Sequence, residues 1–186
     1  TLVPCGGAGN VPYMVYLARG RDEDKPAVLV LVDNDTDGLK AADGIKAMAG
    51  LLPDSLVFTV ADTLNGAVRV DVEELEDLIP VSLANAGVKR LARTVLSRED
   101  ADKFVNAWKD VKPAQDKKLF KLLQAAATEA SNTASIARPL DIDKVAFARS
   151  VMDLALDKDA TATTQRKLYE NFQPVLALIE QKQREA

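Results

Sequence analysis

Histidine is absent from this 186-residue chain, and cysteine occurs once, as Cys5. The first absence excludes His–Cys zinc sites, Ser–His–Asp triads and Cys–His dyads together, because each needs an imidazole as ligand or base. The second excludes an intrachain disulfide framework. With no histidine to activate it, Cys5 is assigned no catalytic role. Aromatic residues make up only 5% of the chain, so no stacking reader of nucleic-acid sequence is apparent. Long hydrophobic runs are missing as well: the longest purely apolar stretch, residues 27–32, is far too short to span a bilayer. The opening residues lack the basic start and apolar core of a secretory signal, so a cytoplasmic location and no membrane association are expected. The chain opens at Thr1 without a Met and reads as a piece of a longer protein.

What is present is the balance of a globular protein, with 47% apolar and 28% charged residues. Charge is unevenly placed. Residues 1–80 carry six basic and fourteen acidic side chains, residues 81–122 ten and five, and residues 123–186 eight and nine. An acidic pole beside a basic stretch running from Lys89 to Lys121 is compatible with a metal site next to a polyanion-binding surface. Solvated, lysine-rich helix faces give the same pattern.

Residues 27–32 (AVLVLV) and 56–60 (LVFTV) have the apolar, β-branched character of buried parallel strands, and residues 68–72 (VRVDV) alternate like a half-exposed one. Between the first two, Leu39, Ala42, Ile45, Met48, Ala49 and Leu52 recur at helical spacing before the Pro53 stop. Asn10 is the expected N-cap of an earlier helix with Pro12 in its first turn. Strand and helix in alternation predict an α/β fold with a parallel sheet flanked by helices. Beyond Pro80 the strand signals vanish and four to six helices are expected. Their stripes include Phe104, Val105 and Trp108 after Ala101, then Leu119, Leu122 and Leu123, then Val145, Ala148, Val151 and Met152. The expected organisation is an α/β core over 1–80, a helical insertion over 81–138, and C-terminal helices over 139–186 that return to the core.

The sharpest motif is Asp33-Asn34-Asp35-Thr36-Asp37-Gly38, directly after the first apolar strand. Clustered carboxylates repel one another, and a divalent cation relieves that cost. Oxygen-only ligands select a hard ion such as Mg²⁺ or Mn²⁺. Asp33 and Asp35 are therefore candidate metal ligands, whereas Asp37 is expected to cap the following helix. An EF-hand loop is excluded, because its twelfth position is Gly44 rather than glutamate and a strand precedes it. A haloacid-dehalogenase-type phosphatase, with Asp33 as nucleophile and Asp35 as acid/base, is an alternative, although Asp37 stands where that family has Thr or Val. A second acidic group, Glu73-Glu74-Leu75-Glu76-Asp77-Leu78-Ile79-Pro80, is expected to point Glu76 and Asp77 away from the core, either as ligands or as a charged surface turn. The Cys5-Gly6-Gly7-Ala8-Gly9-Asn10 turn matches neither a Rossmann fingerprint nor a P-loop.

Taken in order, VPCGGAGNVP, VLVLVDNDTDG, VEELEDLIP and IDKVAFARSV resemble the topoisomerase–primase (TOPRIM) domain, and within it the OLD-family nucleases. The resemblance covers residues 3–151 with a helical segment inserted before the last motif. It implies metal-dependent hydrolysis of DNA phosphodiesters by a two-metal mechanism, and an ABC-type ATPase domain preceding the nuclease in the parent chain. It implies Asp33 and Asp35 as metal ligands, Glu76 or Asp77 as a carboxylate for the second metal, and Lys144 as the cation facing the scissile phosphate. The family's first motif, a glutamate, would precede this sequence, so the isolated fragment is expected to lack full activity. DNA is the expected partner, and a homodimer is among the expected assemblies. A third reading is a TOPRIM-like module kept for DNA binding or dimerisation after loss of catalysis.

Overall fold

The apolar runs at 27–32 and 56–60 each yield a three-residue strand, β1 (Val30–Val32) and β2 (Val57–Thr59). The computed structural model describes residues 3–19, 26–48, 50–64, 72–110, 118–134, 142–157 and 162–185. The chain divides into two compact units, Thr1–Leu75 with Phe172–Ala186, and Glu76–Asn171. The class is α/β, dominated by helices around a two-stranded parallel sheet. Apart from Val72, the strand expected at 68–72 lies outside the described residues.

In the first unit β1 and β2 pair in parallel, Val30 opposite Val57 and Val32 opposite Thr59. A parallel pair needs a crossover, and α2 (Thr36–Lys46) supplies it. All of β2 is buried, as its β-branched and aromatic composition requires. The core joins Val15 of α1 (Val11–Arg19) to Val30, Val32, Ala42, Ile45, Leu52, Leu56 and Val57. Each large aliphatic side chain fully buried here contributes about 1.5–3 kcal/mol.

Two local expectations are corrected. Of the expected stripe Ala42, Ile45 and Leu52 are buried, and α2 buries Gly38 and Ala41 beside them, but Leu39 is 45% exposed and Met48 39% exposed. The reason is steric. A Cβ on Gly38 would stand 2.0 Å from the Asp33 carbonyl oxygen, so α2 leans on the preceding loop through its small residues. The helix also ends at Lys46, before Met48. Asn10, expected as an N-cap acceptor, instead sits in a 3-10 turn (Ala8–Asn10) and donates from Nδ2 to the Cys5 carbonyl at 3.1 Å. Gly6 at φ 70° and Gly7 at φ 148° let the chain make that turn. A short α3 (Val60–Leu64) follows β2.

Five helices follow Pro80 among the described residues: α4 (Val81–Val95), α5 (Arg98–Asp110), α6 (Leu119–Ala134), α7 (Lys144–Leu156) and α8 (Ala162–Glu185). From Phe172 onward α8 belongs to the first unit, so residues 139–186 are shared between the two. α4 buries Leu83, Ala84, Gly87, Val88, Leu91 and Ala92, a continuous stripe at helical spacing. α5 buries Ala101, Phe104, Ala107 and Trp108, with the indole N–H donating to Asn85 Oδ1 at 2.7 Å. α7 turns Phe147, Ser150, Val151 and Ala155 inward, whereas Val145 and Met152, expected on its core face, are 55% and 48% exposed. Gly87 explains the rotation: its missing side chain leaves room for Val151 and Phe147, whose atoms would meet an added Cβ at 2.7 and 3.4 Å. Among the described residues no helix is long and apolar enough to cross a membrane.

Candidate metal centre

Asp33 follows the last residue of β1, at the end of the sheet where parallel α/β folds gather their ligands. Both Asp33 and Asp35 are partly buried. Asp35 is the N-cap of α2: its Oδ1 accepts from the Gly38 N–H at 2.7 Å, and its carbonyl accepts from Leu39 N–H at 2.9 Å. The cap is therefore Asp35 and not Asp37, which sits exposed in the first turn with Lys40 at 3.8 Å. That surface pair adds little beyond a favourable charge at the helix N-terminus. The Asn34 N–H donates to the Glu73 carbonyl at 2.6 Å, which lays residues 72–75 beside the aspartate loop within the first unit.

Two further carboxylates of this unit, Glu74 and Asp62, are not among the expected ligands. Glu74 is buried, on the segment tied to Asn34. Asp62 accepts from both the Thr59 N–H at 2.8 Å and the Thr59 hydroxyl at 3.0 Å. Since Thr59 pairs with Val32, Asp62 stands at the same end of the sheet as Asp33. The signal that would have found Asp62 is its offset from the second strand, which parallels the first motif's offset from the first.

Glu76, Asp77 and Lys144 lie in the second unit. Glu76 and Asp77 are not on an outward-facing helical turn as expected. Leu75–Leu78 is a 3-10 turn, and both carboxylates are partly buried and engaged. Glu76 Oε1 lies 3.6 Å from Lys144 Nζ, and that ammonium sits 5.0 Å from the Phe120 ring centroid. Asp77 Oδ1 accepts from the Leu119 N–H at 2.9 Å and so caps α6 from 42 residues away. Lys144 opens α7, where the helix dipole disfavours a cation, and Glu76 offsets that cost. Asp143 caps the same helix through the Val145 N–H at 3.0 Å. The structure thus brings Asp33 and Asp35 together on one loop, and Glu76 and Lys144 together in one ion pair.

The donor set at the first loop is oxygen only, which suits Mg²⁺ or Mn²⁺ rather than a thiophilic ion. Asp35 spends one oxygen on its cap and keeps Oδ2 for a ligand, and Mg²⁺ commonly takes one or two carboxylates while retaining waters. Among the described residues no group of three or more His, Cys, Asp or Glu side chains converges as a metal site. Comparison with models of protein families, with curated proteins and with solved structures finds no match.

Proposed function

We propose that this chain is the metal-dependent nuclease domain of an OLD-like, ATP-dependent protein, with a TOPRIM-type core and DNA phosphodiesters as substrate. The observation that carries the reading is the Asp33-x-Asp35 pair at the C-terminal end of β1, inside a parallel strand–helix–strand unit. In it Asp33 and Asp35 would hold Mg²⁺ or Mn²⁺. A cation bound there would supply Lewis acidity to the phosphodiester and acidify water, chemistry that needs no histidine. Asp35 also fixes the loop, because its cap ties the aspartate pair to the first turn of α2. The resemblance assigns Lys144 to the charge on the scissile phosphate and Glu76 or Asp77 to a second cation. Glu76 holds the Lys144 ammonium, and with the Phe120 ring it limits the orientations that side chain samples.

The deciding experiment is cleavage of supercoiled plasmid by the full-length protein with Mg²⁺ or Mn²⁺, and with EDTA as control. The reading expects metal-dependent nicking or linearisation that Asp33→Asn and Asp35→Asn both abolish. Turnover of chromogenic phosphomonoesters with an aspartyl-phosphate on Asp33 would replace it with the phosphatase reading. DNA affinity without cleavage in either metal would replace it with the binding-module reading.

A further inference from the structure

The basic stretch between Lys89 and Lys121 is not electrically uniform once folded. α5 carries Arg98, Lys103 and Lys109 among four acidic residues, Glu99, Asp100, Asp102 and Asp110. Lys103 is bonded to Glu99 one turn away. α4 differs, because it holds Lys89, Arg90 and Arg93 and no acidic residue at all. These three side chains lie opposite the buried Leu83–Val88–Leu91 stripe and are exposed. α7 packs on α4 through the gap at Gly87 and brings one more exposed cation, Arg149. Within α4 and α7 the one acidic residue is Asp153, which holds Arg90 at 3.2 Å across the two helices. Arg149 precedes Asp153 by one turn and so shares its face of α7. Among the described residues Lys89, Arg93 and Arg149 make no ion pair.

Among the described residues Lys89, Arg90, Arg93 and Arg149 stand with Asp153 on two closely packed helices and form a positive surface. Its Arg90–Asp153 bond fixes one guanidinium and leaves three cations facing solvent. We propose that this α4–α7 face is where the phosphate backbone of duplex DNA lies, an inference that rests on the nuclease reading above. Charge complementarity selects the occupant: closely spaced phosphates release counterions on meeting such a surface, whereas an apolar partner finds no apolar anchor among these four positions. The α5 lysines, offset by neighbouring carboxylates, are outside the contact.

The test is fluorescence anisotropy of a labelled duplex oligonucleotide in EDTA, so that binding is read without cleavage. With three unpaired cations engaged, log affinity against log salt should fall with a slope of about −3. Lys89→Glu with Arg93→Glu should weaken binding by roughly tenfold or more and make the slope shallower by about 2. The neutral pair Lys89→Gln with Arg93→Gln should act in the same direction and guards against a charge-reversal effect on folding. Lys103→Glu with Lys109→Glu makes the same formal charge change on α5 and should leave affinity within about twofold. Equal losses in both double variants, or tighter binding to phosphatidylserine vesicles than to DNA, would overturn the surface. Plasmid cleavage with Mn²⁺, run on the same preparations, separates the two ideas. Cleavage that survives Lys89→Glu with Arg93→Glu at unaltered affinity removes the surface and keeps the nuclease. Binding through α4 without any cleavage keeps the surface and removes the nuclease.

Discussion

Asp35 Oδ1 caps α2 through the Gly38 amide, and Oδ2 is the oxygen left to a cation, so replacing the side chain removes two effects at once. Alanine loses both. Asp35→Ala should destabilise the protein by about 1 kcal/mol from the missing cap alone. Asparagine caps about as well as aspartate but carries no charge for a hard cation. Asp35→Asn should therefore keep the metal-free melting temperature close to that of the parent protein. It should also abolish the rise that millimolar Mn²⁺ gives by binding the native state. Melting curves with and without Mn²⁺ decide the point. A full Mn²⁺ shift in Asp35→Asn would remove Asp35 from the ligand set.

At the scale of elements, the β1–α2–β2 unit was legible because strand and helix signals there are local. Valine and leucine runs at 27–32 and 56–60, a crossover of suitable length and an acidic turn are all contained within about one β–α–β span. Helix faces were harder. On α2 the inward face joins Ile45 to Gly38, Ala41 and Ala42, so apolar spacing finds Ala42 and Ile45 but also draws in Leu39, which is exposed. On α7 the inward face depends on a gap in α4 that lies 64 residues away in the chain, between Gly87 and Val151. Nothing within residues 144–156 records that gap. The Asp77 cap on Leu119 is likewise non-local, so the local pattern places Asp77 only on an outward turn, as a ligand or as surface charge. The α4–α7 contact makes a prediction. In an exposed helix Gly→Ala is favourable by about 1 kcal/mol. Here Gly87→Ala should instead cost about 1–3 kcal/mol, because its Cβ would stand 2.7 Å from Val151 Cγ2. Val151→Ala removes that methyl, so the double variant should lose less than the two single variants add up to. Denaturant melts of the four proteins test the cycle, and simple additivity would show that the helices move apart freely.

For the whole molecule, charge is partitioned between the two units. The first holds eight basic and fourteen acidic residues, and the second sixteen and fourteen. Asp33 and Asp35 belong to the first unit, whereas Glu76, Asp77 and the α4–α7 cations belong to the second. A site for a hard cation gains from surrounding negative charge, and a phosphate-binding surface gains from positive charge, so Asp33 and Asp35 suit the first role and the cations of α4 and α7 the second. The two functions should then separate cleanly by mutation. Asp35→Asn should eliminate metal-dependent cleavage while leaving duplex affinity in EDTA within about twofold, since one carboxylate removed from the acidic unit changes few phosphate contacts. Lys89→Glu with Arg93→Glu should do the reverse, cutting duplex affinity while the Mn²⁺-induced rise in melting temperature stays intact. Both readouts are needed on both variants. If Asp35→Asn weakened binding in EDTA by more than about tenfold, or the α4 variant lost its Mn²⁺ response, cation and phosphate binding would not be the independent roles assigned to Asp35 and α4.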